Sequence, residues 1–301
     1  VSLETLHQTE FRRALKAIGL LLLAILCFDV MSLLVRVLSA RYAAPELSAY
    51  RNVLGIVPSL ALLIWTGELR LRGSSLRIEN WPLAVGRGFA VALAQLFFYS
   101  ALARLELATV ATLGQTNALF VVLLSVVLLG ERVGPWRVGA LLVGFVGVVL
   151  ILKPGSEAFS LAGLLPVGAA LCYALSMVTV RFFGPEVSNG LLYLYSSAAA
   201  AVGAIILAAF TTEFSPLHSL ADAGLIFVMG VLGGIGVLFM MLAYRSAAPS
   251  ILAPFGYFGI LSAFVLGWLV FGETPVDTLF PGVLLIVGAG ALIMWRENRR
   301  G

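Results

Sequence analysis

Runs of apolar residues about 20 long follow one another down the chain, at 17 to 38, 46 to 65, 81 to 102, 107 to 128, 134 to 152, 161 to 181, 188 to 210, 221 to 243, 248 to 271 and 276 to 295. At a rise of about 1.5 Å per residue, each can cross a hydrocarbon core roughly 30 Å thick as a helix. Lipid offers the backbone no hydrogen-bond partners, so a spanning segment must satisfy its own as a helix or within a closed barrel. Barrel strands would read as short alternating segments, and the sequence has none of that texture. With 61% hydrophobic and only 11% charged residues, there is too little polar surface to coat a soluble globule. The sequence therefore predicts an all-α, polytopic membrane protein whose partner is the lipid bilayer. The polar leader 1 to 16 has no small-residue cleavage site and is not read as a signal peptide.

Positive residues are retained preferentially on the cytoplasmic side. With the N-terminus inside, that side receives Arg12, Arg13, Lys16, Arg70, Arg72, Arg77, Arg132, Arg137, Arg181, Arg245, Arg296, Arg299 and Arg300. The other side receives only Arg36, Arg41, Arg104 and Lys153, so both termini are expected in the cytoplasm. Trp65, Trp81, Trp136 and Trp295 fall at the predicted inner boundaries, where an interfacial aromatic belt would sit.

The chain is also written twice. At a shift of 142 residues "LFFYSALARLELATVATLG" (96 to 114) lies over "LFMMLAYRSAAPSILAPFG" (238 to 256), and Gly130-Glu131 lies over Gly272-Glu273. At a shift of 145, "LCFDVMSLLVR" (26 to 36) lies over "LCYALSMVTVR" (171 to 181). A unit of five spans is odd, so its second copy must enter the membrane from the opposite face. The expectation is ten transmembrane helices as two inverted five-helix repeats, 1 to 154 and 155 to 301, with any binding site near the midplane between them.

With "YSALARLELATVATL" leading into span four and "LLGERVGPWRVGALLVGFVGVVLI" closing the half, the chain resembles the drug/metabolite transporter superfamily, EamA type. Within it the texture is most like bacterial inner-membrane exporters of aromatic and other amino acids. The resemblance implies a multi-pass protein of that membrane, exporting small solutes by alternating access. A drug or other metabolite is the alternative cargo, and an intramembrane enzyme or a passive channel the rival class.

Candidate site residues are polar groups at membrane depth, which are costly there and face protein or water rather than lipid. "ATLGQTN" (111 to 117) and its mate "APFGYFG" (253 to 259) both disturb their helices near mid-span, offering Gln115, Asn117 and Tyr257. Arg87, Val91, Gln95 and Tyr99 form a stripe at helical spacing, with Gln95 and Tyr99 the deeper pair. Tyr173 on span six, and Met241 and Tyr244 on span eight, complete the expected substrate-binding set. Interhelical hydrogen bonding and ordinary packing are the competing structural readings of these positions. Asp29 and Arg51 lie at similar depth from the same face, so two readings stand: a structural ion pair, or a coupling site in which Asp29 meets a proton or amino group and Arg51 a carboxylate.

Glu131 and Glu273 precede spans five and ten with Pro135 and Pro275 close behind, the signature of helix starts. The two histidines, His7 and His218, fall in the tail and a loop, so no intramembrane metal set is expected. Cys27 and Cys172 read as small apolar packing residues. No cofactor, catalytic residue or nucleic-acid partner is expected, the chain is not read as an enzyme, and since both halves share one chain a monomer is possible and oligomerisation is not implied.

Overall fold

The computed structural model describes residues 3–65, 67, 78–130, 135–153, 161–184, 187, 189–247 and 252–298, and among them every regular element is helical. The elements are α1 (Leu3–Leu38), α2 (Ala44–Trp65), α3 (Trp81–Leu102), α4 (Leu107–Gly114), α5 (Asn117–Leu129), α6 (Pro135–Leu152), α7 (Leu164–Val178), α8 (Asn189–Thr211), α9 (Leu220–Ser246), α10 (Phe258–Phe271) and α11 (Gly282–Asn298). Short 3₁₀ turns precede α7 (Leu161–Gly163), follow it (Thr179–Phe182) and lead into α10 (Ala253–Tyr257). Among the described residues six stretches are long and apolar enough to cross a membrane, and three further apolar helices are shorter.

The helices fall on the predicted runs, with four instructive differences. Helix α1 begins at Leu3 instead of 17, because the polar residues ahead of the apolar run continue the helix beyond it. The fourth run is split at Gln115–Thr116 into α4 and α5, and the ninth opens as a 3₁₀ turn over Ala253–Tyr257, where Pro254 stands. The last run is a one-turn helix (Val276–Leu279) before Pro281, so the long helix starts at Gly282. Proline lacks the N–H that a helix interior needs, which places the interruptions of the ninth and last runs, whereas the break at Gln115–Thr116 contains no proline. Pro135 opens α6 at the first helical position, where a missing N–H costs nothing. Glu131 lies outside the described residues.

Two of the helix ends are set by glycine. Gly130 (φ 65°) closes α5 and Gly272 (φ 68°) closes α10, both in the left-handed region that other residues enter only under strain. These are the two glycines that coincide at a shift of 142 in the sequence.

Helix α1 lies along α9, and α2 packs on α9 and α8. Helix α3 packs on α7 and α8, α5 on α7, α10 on α1 and α4, and α6 on α11. Contacts between α2 and α9 are close because glycine lines them: a Cβ at Gly234 would stand 2.6 Å from the Gly55 carbonyl oxygen. Small residues let helix backbones approach in lipid, where packing rather than hydrophobicity holds them together.

The largest buried cluster joins the end of α1 (Met31, Val35, Leu38), the start of α2 (Leu47), the end of α3 (Tyr99, Leu102) and the starts of α4 (Leu107, Val110) and α9 (Ile226, Met229). All lie toward one end of the bundle, the end that carries Arg36. With Ala263 of α10, that end is plugged by apolar side chains from six helices.

Candidate functional site

The plugged end is also tied by charge. Arg36, in the last turn of α1, forms an ion pair with Glu273 in the connection after α10, and its guanidinium rests 4.6 Å from the centre of the Phe271 ring. The other carboxylate oxygen of Glu273 accepts the Leu107 N–H at 3.1 Å. Glu273 thus caps the start of α4 rather than its own span, binding α1, α4 and α10 together at one point. Beside them Glu106 accepts from the Thr109 hydroxyl at 3.4 Å. Burial pushes its carboxyl above the usual carboxylate range and the Glu273 charge adds to this, while the Thr109 hydrogen bond and Arg36 work against it.

A second tie joins the α1–α2 connection to α9. Arg41 pairs with Asp222 at 2.9 Å, and the Tyr42 hydroxyl donates to the other oxygen of Asp222 at 3.2 Å. Tyr42 in turn accepts the His218 N–H at 3.0 Å. Glu46, fully buried at the start of α2, accepts from the backbone N–H groups of Ala43 and Ser215.

Deeper in the bundle, Asp29 and Arg51 do not form the expected ion pair. Among the described residues the ion pairs are Arg36–Glu273 and Arg41–Asp222. Asp29 instead accepts from the Ser262 hydroxyl of α10. The reason is helical rotation. Phe28 and Met31 face α9, against Gly236 and Gly233, whereas Asp29, about 100° around the helix from Phe28, faces Ser262 and Gly259 of α10. Arg51 lies on the α9 side, donating to the Gly233 carbonyl at 3.4 Å and to the Asn52 side-chain oxygen at 3.3 Å. Among the described residues its buried Nε–H has no partner.

The stripe on α3 meets protein along its length. Arg87 donates to the Ser176 carbonyl of α7 at 2.9 Å and to the Ser196 hydroxyl of α8 at 3.3 Å. Gln95 is buried and accepts from Asn52 and from the Ser48 hydroxyl, at 3.4 Å for the latter. Tyr99 is 1% exposed, with its hydroxyl on the Met31 sulfur at 3.7 Å, and lies within electrostatic reach of Arg51 and Tyr173. Tyr99, Tyr173 and Arg51 therefore gather from α3, α7 and α2 around one interior region.

The two interrupted helices meet each other. Gln115, at the α4–α5 break, donates to the Gly256 carbonyl in the 3₁₀ turn before α10 at 3.3 Å. Asn117 donates to the Ala170 carbonyl of α7 at 3.1 Å, an interhelical bond of the kind amides make in membranes. Tyr257 packs with its hydroxyl against Gly290 of α11. Met241 is half-buried and Tyr244 is 45% exposed near the end of α9. Cys27 and Cys172 are free thiols.

Sequence reasoning missed Ser262, Asn52 and Ser48. Asn52 could have been found, since Ser48 and Asn52 stand one helical turn apart beside Arg51. Ser262 gives no such signal, because its partner lies on another span.

An all-helical body with charge and amide clusters held inside apolar helices defines a multi-pass membrane protein with a polar interior. The comparisons with known proteins agree. Residues 15–153 match the EamA-like transporter family. The chain is 30% identical over 275 residues to the pseudopaline exporter CntI of Pseudomonas aeruginosa, covering 91% of this chain and 94% of that one. It is 29% identical to a riboflavin transporter of Rhizobium johnstonii, over 99% and 97% of the two chains. With an S-adenosylmethionine uptake transporter of Rickettsia bellii it shares 24% identity, over 94% of each. A solved protein crystal structure matches the fold with a TM-score of 0.64 at 20% identity, over 94% of this chain and 97% of the other. The chain belongs to the EamA-like transporter family, whose relatives here are named for small-molecule transport and not for aromatic amino-acid export.

Proposed function

We propose that this protein is a secondary transporter that exports small organic solutes, aromatic and other amino acids first among them, by alternating access between two inverted five-helix repeats. The observation that carries the reading is the Gln115–Gly256 bond, which joins the two interrupted helices one residue from the register of the repeat, in which Gly114 overlies Gly256 and Gln115 overlies Tyr257. Interrupted helices facing one another at depth are where transporters of inverted repeats build their sites. The packing supports the same axis. Exchanging each helix for its repeat mate turns the α1–α9 contact into α7–α3, α2–α9 into α8–α3, and α10–α1 into α5–α7. The contacts α2–α8 and α6–α11 map onto themselves, and α4–α10 joins the fourth span to its mate, the ninth.

On this reading spans one, three, four, six, eight and nine line the cavity, where Gln95, Tyr99, Gln115, Asn117, Tyr173, Met241, Tyr244 and Tyr257 were expected. Arg51 takes the substrate carboxylate and Asp29 its amino group or a coupling proton. Both termini face the cytoplasm of a bacterial inner membrane by the count of positive residues. The end that carries Arg36 then faces outward.

The test is counterflow in sealed liposomes containing the purified chain, using a panel of labelled amino acids with and without a pH gradient. Saturable counterflow of an amino acid is the expected result. Movement of only another class of solute, such as a flavin or a cationic dye, would replace the substrate assignment. Chemically altered solute would refute transport itself.

A further inference from the structure

Arg51 is a guanidinium at membrane depth whose described partners are two neutral oxygens, the Asn52 amide and the Gly233 carbonyl, and whose buried Nε–H has none. A cation in such surroundings is costly unless an anion comes to it. What keeps it without a carboxylate is a directional chain of amides. Asn52 commits its side-chain N–H groups to the Ser48 carbonyl, at 2.8 Å, and to the Gln95 side-chain oxygen. With both donors engaged on that side, the Asn52 oxygen can only face the other way, toward Arg51. Gln95 is held in its own orientation because its oxygen also accepts from the Ser48 hydroxyl. Ser48, Asn52 and Gln95 are all at most 5% exposed, so water does not substitute for any of these partners at little cost.

We propose that Gln95 and Asn52 are positioning residues that present Arg51 as an uncompensated cation, and that this makes the transport site selective for solutes bearing a carboxylate or a similar oxyanion. Gln95 then acts through Asn52 without touching substrate, which revises its role as a direct contact. The proposal rests on the transport reading and names the substrate chemistry of the same site. A guanidinium fork matches an oxyanion with paired donors, and tyrosine hydroxyls from Tyr99 and Tyr173 lie in the same region.

The test uses the full chain in liposomes and two probes differing at the carboxylate, phenylalanine and phenylalaninol. Wild type is expected to favour phenylalanine. In Asn52→Asp a carboxylate takes the place of the amide and occupies Arg51, and in Gln95→Met Asn52 loses the acceptor that orients it. Each is expected to lower the phenylalanine-to-phenylalaninol ratio of kcat/KM by about tenfold, through KM with kcat retained, as loss of one buried charge-assisted contact implies. A purely structural role would lower both solutes alike and leave the ratio unchanged, which overturns the proposal. If wild type carries neither probe, the amino-acid assignment fails by itself, and phenylglyoxal decides the positioning claim. Labelling of Arg51, followed by peptide mass, is expected in wild type and slowed about fivefold or more when Asn52→Asp pairs the guanidinium. Equal labelling overturns the proposal.

Discussion

Replacing Glu273 by Gln removes one charge and almost no volume, so its cost isolates the tie at the plugged end of the bundle. The Glu273 side chain is 10% exposed and that of Arg36 is 21% exposed. Breaking a fully buried pair by removing one partner costs about 3–5 kcal/mol, and an exposed pair contributes roughly 1 kcal/mol or less. This pair sits nearer the buried limit, discounted for the water that reaches Arg36. The Leu107 N–H keeps an oxygen acceptor in the glutamine but loses its charge, adding up to about 1 kcal/mol. The expected loss is about 2–3 kcal/mol in the unfolding free energy of the full chain, measured by denaturant titration in mixed micelles. Arg36→Met keeps an apolar stem against Phe271 and removes the stranded cation, so the double variant should recover part of the loss. A coupling of about 1.5 kcal/mol or more is expected from the double-mutant cycle. If Glu273→Gln stays within about 0.5 kcal/mol of wild type, the end is not held by this pair and the reasoning fails.

Three further outcomes are expected. Gly234→Ala drives a methyl to 2.6 Å from the Gly55 carbonyl, a backbone atom that cannot step aside, whereas nothing lies within 4 Å of a Cβ at Gly139. The first should cost about 1–3 kcal/mol and the second should be neutral or gain up to about 1 kcal/mol, both read from the same titration. Asp29→Asn should abolish any proton-driven component of uptake if Asp29 is the coupling group, and an unchanged pH response with intact folding rules that role out. Because the Glu106 carboxyl is raised on folding, the stability it contributes is full below the ordinary glutamate range near about 4.3 and is lost as pH rises through the folded value. Glu106→Gln should therefore flatten the stability profile in that window, and an unaltered slope would contradict the burial that raises it.

The helices were legible because the bilayer imposes one length on every span. The third run and α3 share both ends, Trp81 and Leu102, where lipid-length apolarity coincides with a proline near the start. What lipid does not dictate was less visible. The helix of α1 outruns its apolar stretch because helix formation does not stop at the membrane boundary. The Asp29–Arg51 pairing failed for a similar reason: counting residues from a boundary gives depth, but a partner must also share azimuth. One residue of rotation sends Asp29 to α10 while its neighbours Phe28 and Met31 reach the α9 side where Arg51 lies. The α3 stripe likewise announced a face that avoids lipid without saying whether protein or cargo covers it.

The repeat sharpens the question of which interior charges belong to function. At a shift of 145 residues Arg51 overlies Ser196, Asn52 overlies Ser197 and Leu54 overlies Ala199, and at the shift of 142 that holds for the third span Gly88 overlies Gly230. The contacts follow the same mapping: Gly230 abuts Leu54, and Gly88 abuts Ala199. The close approach of the second span to a glycine of the eighth is thus made twice, once with Leu54 and once with Ala199, while the guanidinium of Arg51 has only the Ser196 hydroxyl as its mate in sequence. Asp29 shows the same asymmetry, since its mate Ala174 is fully buried and apolar. A frame that packs equally well without these charges does not need them for folding, and burying them unpaired only costs stability. Their presence in one half alone is what a duplicated scaffold would retain if Arg51 and Asp29 meet the cargo and its coupling ion rather than each other.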